Sequence, residues 1–181
     1  MNDSLKLIVF SDSHGDFAAL DSVVRRHLAE PGVFIHLGDG AREVEELRML
    51  YPNIDLRFVP GNCDFYCTEP DVGEIKFGGC RAVFTHGHTR GVKLCDDNIV
   101  ALARSRGASL LMHGHTHLPR AEYDGGLHIL CPGSVSRNVY GGATYAVVEI
   151  GRHGVLTNII RLDGNVPSDN LRLTKQQGGG A

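Results

Sequence analysis

At 181 residues, 42% of them apolar and 22% charged, the chain has the length and composition of a globular protein with one full hydrophobic core. Its formal net charge of −3 argues against a strong basic surface that would bind nucleic acid by neutralising phosphates, though not against short oligonucleotides. Met1–Lys6 is polar and the apolar run Leu7–Phe10 is far too short to enter a bilayer, so a cytoplasmic protein is expected.

Leu5–Phe10 reads as a short apolar strand, followed by the loop Ser11–Gly15. Asp16 then caps a helix in which Phe17, Leu20, Val23, Val24, His27 and Leu28 recur at helical spacing. Val33–Leu37 is the next strand, and Arg42–Leu50 a charged helix with Val44, Leu47 and Leu50 inward. Leu56–Val59 is a third strand. Strand, polar loop and helix in repetition predict parallel strands with right-handed crossovers.

The pattern then changes. Glu74–Phe77 and Arg81–Thr85 flank Gly78-Gly79, a hairpin signal. Val92–Arg106 reads as a helix with Cys95, Ile99, Leu102 and Ala103 on one face, closed by Gly107. Ser109–His113 is a buried strand. Two more hairpins follow, around Asp124–Gly126 and Gly151–Gly154. The expected fold class is α/β, with two facing mixed β-sheets flanked by helices, because so many strands sit poorly in one open sheet. Residues 1–165 read as one domain and 166–181 as a polar, mobile tail. Five widely spread cysteines are expected to be reduced thiols.

Polar motifs fall where strands end: Asp12-Ser-His14, Gly38-Asp39, Gly61-Asn62, Thr85-His86-Gly-His88 and Gly114-His115-Thr-His117. In open α/β sheets, ligands gather at the carboxyl ends of strands. Asp12 and His14 are two apart in a loop, so both can face one ion. Asp39 follows glycine, whose freedom to turn tightly lets a carboxylate reach two ions. Asn62 offers a neutral oxygen, and His86, His115 and His117 offer imidazoles. This inventory can hold two divalent ions sharing one carboxylate. Carboxylate and imidazole suit manganese, iron, zinc or nickel better than calcium.

The ordered set Asp12/His14, Gly38-Asp39, Gly61-Asn62, His86, Gly114-His115-Thr116-His117 resembles the calcineurin-like metallophosphoesterase superfamily. The strings GNCD, THGH and GHTH, with Pro132-Gly133-Ser134, resemble its small bacterial and archaeal phosphodiesterase branch. The resemblance spans residue 7 to about residue 160. It implies a four-layer αββα sandwich. It implies one ion on Asp12, His14, Asp39 and His117, and a second on Asp39, Asn62, His86 and His115. The expected activity is hydrolysis of small phosphodiesters by a hydroxide shared between the ions, with Mn2+ as first choice of metal. Asp39, Asn62, Cys63 and His88 are the expected catalytic residues, and relatives suggest a homodimer or homotetramer.

Cys63 stands where many superfamily members carry a histidine able to protonate the leaving group. A neutral thiol is a poor acid at neutral pH, which disfavours phosphomonoesters and fits diesters with acidic leaving alcohols; packing beside the site is the plainer role. His88 reads as a neighbour of the ligands before a ligand or a substitute proton donor. Asp64 either orients a ligand imidazole or caps a turn. Arg137 and Asn138 either touch substrate phosphate or lie in a solvated loop. His36 and His113 are structural, and His27, His128 and His153 carry no site role. Two other readings are a phosphomonoesterase and a non-catalytic metal-binding scaffold, as in the retromer subunit that resembles this branch. The H-x-H-x-D-H string of metallo-β-lactamase-type hydrolases is absent.

Overall fold

A computed structural model describes residues 4–136, 141–152 and 154–163. The 166–181 tail, Arg137, Asn138 and His153 lie outside the described residues.

Two five-stranded mixed sheets face one another. The first contains β1 (Ser4–Phe10), β2 (Val33–His36), β3 (Asp55–Phe58), β9 (Thr144–Gly151) and β10 (Gly154–Arg161), in the order β10-β9-β1-β2-β3. The second contains β4 (Val72–Phe77), β5 (Cys80–Thr85), β6 (Leu110–His113), β7 (Arg120–Asp124) and β8 (Leu127–Cys131), in the order β4-β5-β6-β8-β7. β1, β2 and β3 run parallel, as do β5, β6 and β8. Helices α1 (Phe17–His27) and α2 (Ala41–Leu50) cover the first sheet, and α3 (Asp97–Ser105) covers the second.

The continuous apolar run of β1 follows from burial on both faces. Leu7 and Val9 point between the sheets, where they meet Ala82, Phe84, Leu110 and Met112. Ile8 and Phe10 point outward against Leu20, Val23, Val24 and Leu47. On the other outer face, Val83 and Leu111 pack on Ile99 and Ala103. The Gly78-Gly79 and Gly125-Gly126 hairpins have positive φ at both turn residues, the two-residue turn that matches strand twist.

Three sequence expectations fail locally. The third helix begins at Asp97, not Val92. A short 3-10 turn at His88–Arg90 and further turns take up the intervening chain, with Gly87 and Gly91 left-handed on either side of the 3-10 turn. Cys95 is consequently exposed rather than on a buried helix face, and Leu102 is half-buried. Leu50 is 51% exposed because α2 ends there, and Tyr51 packs against the core in its place. Among the described residues no helix is long and apolar enough to cross a membrane.

Candidate metal centre

The carboxyl ends of β1, β2, β3, β5 and β6 converge, and with them Asp12, His14, Asp39, Asn62, His86, His115 and His117. Backbone bonds tie the first two loops together: Asp12 N–H donates to the Gly38 carbonyl at 3.0 Å, and His14 N–H to that of Asp39 at 3.1 Å. Glycines permit the closeness. A Cβ at Gly61 would overlap the Asp39 carboxylate, and one at Gly114 would overlap the Ser11 hydroxyl.

Two clusters result. In the first, His117 Nε2 lies 3.1 Å from Asp12 Oδ1 and 3.3 Å from His14 Nε2. In the second, His86 Nε2 lies 3.1 Å from His115 Nδ1, 3.3 Å from Asn62 Oδ1 and 3.6 Å from Asp39 Oδ2. Asp39 Oδ2 is also 3.9 Å from His14 Nε2, so one carboxylate oxygen faces both clusters. Two ligands bound to a common ion at about 2.1 Å stand about 3.0–3.4 Å apart, which is the spacing of the close pairs.

The polar bonding of each ligand leaves one atom turned inward. Asp12 Oδ2 accepts from Ser11 Oγ at 2.5 Å and from His115 N–H at 3.1 Å. Asp12 Oδ1 is buried without a hydrogen bond among the described residues, since His117 lies within reach but off alignment. A buried, unsatisfied carboxylate oxygen is costly unless a cation faces it. His86 Nδ1 donates to the Leu37 carbonyl at 2.6 Å, which fixes Nε2 as the free lone pair. Asp39 Oδ1 accepts from Cys63 N–H at 2.7 Å, leaving Oδ2 free. The donor set therefore fits divalent metal ions.

Backbone strain concentrates at the same place. Of six non-glycine residues with positive φ among the described residues, five are Asp12, His14, Asp39, His115 and His117. Such conformations cost about 1–3 kcal/mol each and persist where function requires them.

Electrostatics agree. Burial works against the Asp12 carboxylate, but His117, His86 and Ser11 hold its carboxyl below the usual range. His117 is raised, chiefly by Asp12. Burial, then the neighbouring His86, pushes His115 down to about 4. Burial and the Asp39 carboxylate push the Cys63 thiol up. A cation between these groups would reverse that last effect.

The surrounding residues take clearer roles than the sequence assigns. Asp64 caps a turn; its two oxygens accept from the N–H groups of Asp39, Gly40, Ala41 and Gly61 at 2.7–2.9 Å. The alternative, that it orients an imidazole, fails for want of a free oxygen. Ser134 Oγ donates to the Asp12 carbonyl at 2.8 Å, so Pro132-Gly133-Ser134 braces the first loop. His88 packs beside His86 and His115, its ring inclined at 60° to both and with centroids 5.2 and 6.1 Å away. His27 contacts Tyr145 and His128 contacts Tyr123, away from the cluster. His113 is buried at the end of β6, bonded to Gly114. A cleft of about 340 Å³ between α2 and residues 65–69, lined by Arg42, Phe65 and Tyr66, contains none of these ligands.

His36 belongs to a chain of bonds behind the site. Gly38 N–H donates to its Nδ1 at 3.1 Å. Its Nε2–H therefore donates to Ser13 Oγ at 3.1 Å, and Ser13 donates to Glu43 Oε1 at 2.9 Å. Burial pushes His36 from 6.5 to about 4. A group with a depressed cationic pKa binds fewer protons folded than unfolded between those values. Metal-free protein should thus lose stability as pH falls from about 6.5 to about 4. His36→Gln, which keeps a donor and an acceptor, should flatten that slope in urea unfolding at pH 7, 6 and 5. An unchanged slope would show that His36 does not set it.

The sequence profile of the calcineurin-like phosphoesterase superfamily domain matches residues 5–153. A probable metallophosphoesterase of Bacillus subtilis, YsnB, is 33% identical over 132 residues, 72% of this chain and 75% of that protein. A conserved protein of Streptococcus pneumoniae, described as a predicted phosphoesterase, superposes with a TM-score of 0.77 at 28% identity, covering 92% of this chain and 94% of that one. YfcE, a phosphoesterase from E. coli, superposes at 0.65 with 25% identity, covering 90% and 96%. Strand order, ligand clusters and these similarities agree, and the chain belongs to the calcineurin-like phosphoesterase superfamily.

Proposed function

We propose that this metallophosphoesterase is a dinuclear phosphodiesterase acting on small phosphodiesters. The observation that carries the reading is the pair of ligand clusters facing one oxygen of Asp39. Asp12, His14, Asp39 and His117 would hold one ion; Asp39, Asn62, His86 and His115 would hold the other. Mn2+ suits the second set, which is imidazole, carboxylate and amide. When bound, such ions lower the pKa of water and polarise phosphoryl oxygens.

The protein's own part is positional. Hydrogen bonds to Ser11, Leu37 and the Cys63 N–H lock the ligand rotamers before substrate arrives, which avoids reorganisation during reaction. Cys63 supports diester preference, because its sulfur, protonated or metal-bound, brings no positive charge to a leaving alkoxide. His88, half-buried beside the second cluster, packs its ring 5.2 Å from that of His86.

Metal-stripped protein should cleave neither bis-p-nitrophenyl phosphate nor p-nitrophenyl phosphate. Adding manganese should restore cleavage with the diester preferred by at least about tenfold. Preference for the monoester would overturn the diesterase reading. Failure on both substrates with two ions bound would favour a scaffold.

A further inference from the structure

We propose that Cys63 is itself a metal ligand, adding a thiolate to the ion shared by His14 and Asp39 and making the two metal sites chemically unequal. The inference rests on the dinuclear reading for its metal centre but not on the choice of substrate.

Cys63 Sγ, a ring nitrogen of His14 and a carboxylate oxygen of Asp39 all lie within 4.8 Å of one another. Nitrogen and sulfur ligands on one tetrahedral zinc-sized ion, at about 2.1 Å and 2.3 Å, stand about 3.6 Å apart. Closing that spacing takes up to about an ångström of movement, which the exposed Cys63 side chain is free to make. The Cys63 backbone is anchored to the same carboxylate, since its N–H donates to Asp39 Oδ1 at 2.7 Å. Asn62 Nδ2 donates to Cys63 Sγ at 3.3 Å, so the sulfur is already an acceptor. A second sign of a cation on the His14 side is Asp12 Oδ1, buried without a hydrogen bond among the described residues and facing His117 Nε2 at 3.1 Å and His14 Nε2 at 3.9 Å. On binding, the sulfur forms the bond to the cation and its proton passes to solvent.

A thiolate selects zinc, iron or cobalt over manganese. The site with Cys63 would therefore take the softer ion, while Asp39, Asn62, His86 and His115 keep manganese. Metal-stripped full-length protein titrated with cobalt(II) should develop a near-ultraviolet sulfur-to-cobalt charge-transfer band. Cys63→Ser should still bind cobalt but lose that band, and its zinc-over-manganese affinity ratio should fall at least tenfold. In the unsubstituted protein, zinc should slow iodoacetamide alkylation at Cys63 at least tenfold while leaving exposed Cys95 unchanged. No band, a band that survives Cys63→Ser, or alkylation of Cys63 untouched by zinc would overturn the proposal. A cobalt band without diesterase activity would retain the ligand and remove the substrate reading; activity without the band would do the reverse.

Discussion

Asp39→Ala should lower turnover at least about a thousandfold and, on the proposed dinuclear centre, should leave one ion or fewer after dialysis where the parent should keep two. Asp39 Oδ2 stands 3.6 Å from His86 and 3.9 Å from His14. In the proposed centre it would be the negative charge between two dications that otherwise repel. The substitution also places alanine at φ +59, at about 1–2 kcal/mol. The fold survives, because Asp64 independently holds the backbone N–H groups of residues 39–41. Asp39→Asn separates the two effects. Asparagine tolerates the left-handed conformation, so thermal stability returns while metal content and turnover do not. Elemental analysis, melting temperature and kcat measured together test this. Normal turnover by either variant would remove Asp39 from its bridging position.

Asp64→Ala removes one acceptor from four backbone donors at once. Two of them, the N–H groups of Gly40 and Ala41, open α2, whose own N-cap glycine has no side chain to offer. The others belong to the Asp39 and Gly61 loops. Charge-assisted bonds contribute about 1.5–3 kcal/mol each but share this one carboxylate. A net loss of about 3 kcal/mol, or a Tm about 6–12 °C lower, is expected. Metal affinity should also fall about 10–100-fold, as when partners behind metal ligands are removed. Asp64→Asn keeps one carbonyl oxygen and should recover part of both losses. Melting and metal titration like those of the parent would mean that water replaces the carboxylate.

The amino-acid sequence determined the local pieces and the chemistry of the ligands. Continuous apolar runs such as Leu7–Phe10, glycine pairs at the hairpins, and Asp16 bonding back to Ala19 N–H at 3.0 Å are short-range signals, and those elements stand where expected. The two-sheet architecture followed from strand number and order. Ligand types were legible because glycine beside a polar residue at a strand end is a short string. Tertiary structure alone decided what depends on residues far apart in the chain. His14 meets His117 across 103 positions, Asp64 reaches back to the start of α2, and Cys63 Sγ comes within 4.8 Å of His14 and Asp39. The same reason explains the misses. Helical periodicity persists through Val92–Asp96, yet the chain turns there: Gly91 is left-handed and its carbonyl accepts from the N–H groups of Leu94 and Cys95 at 2.8 and 3.3 Å. Leu50 keeps the inward spacing of α2 but is its last residue, and Tyr51 packs against the core instead. Periodicity describes one element's faces; only packing decides where that element stops and what each face meets.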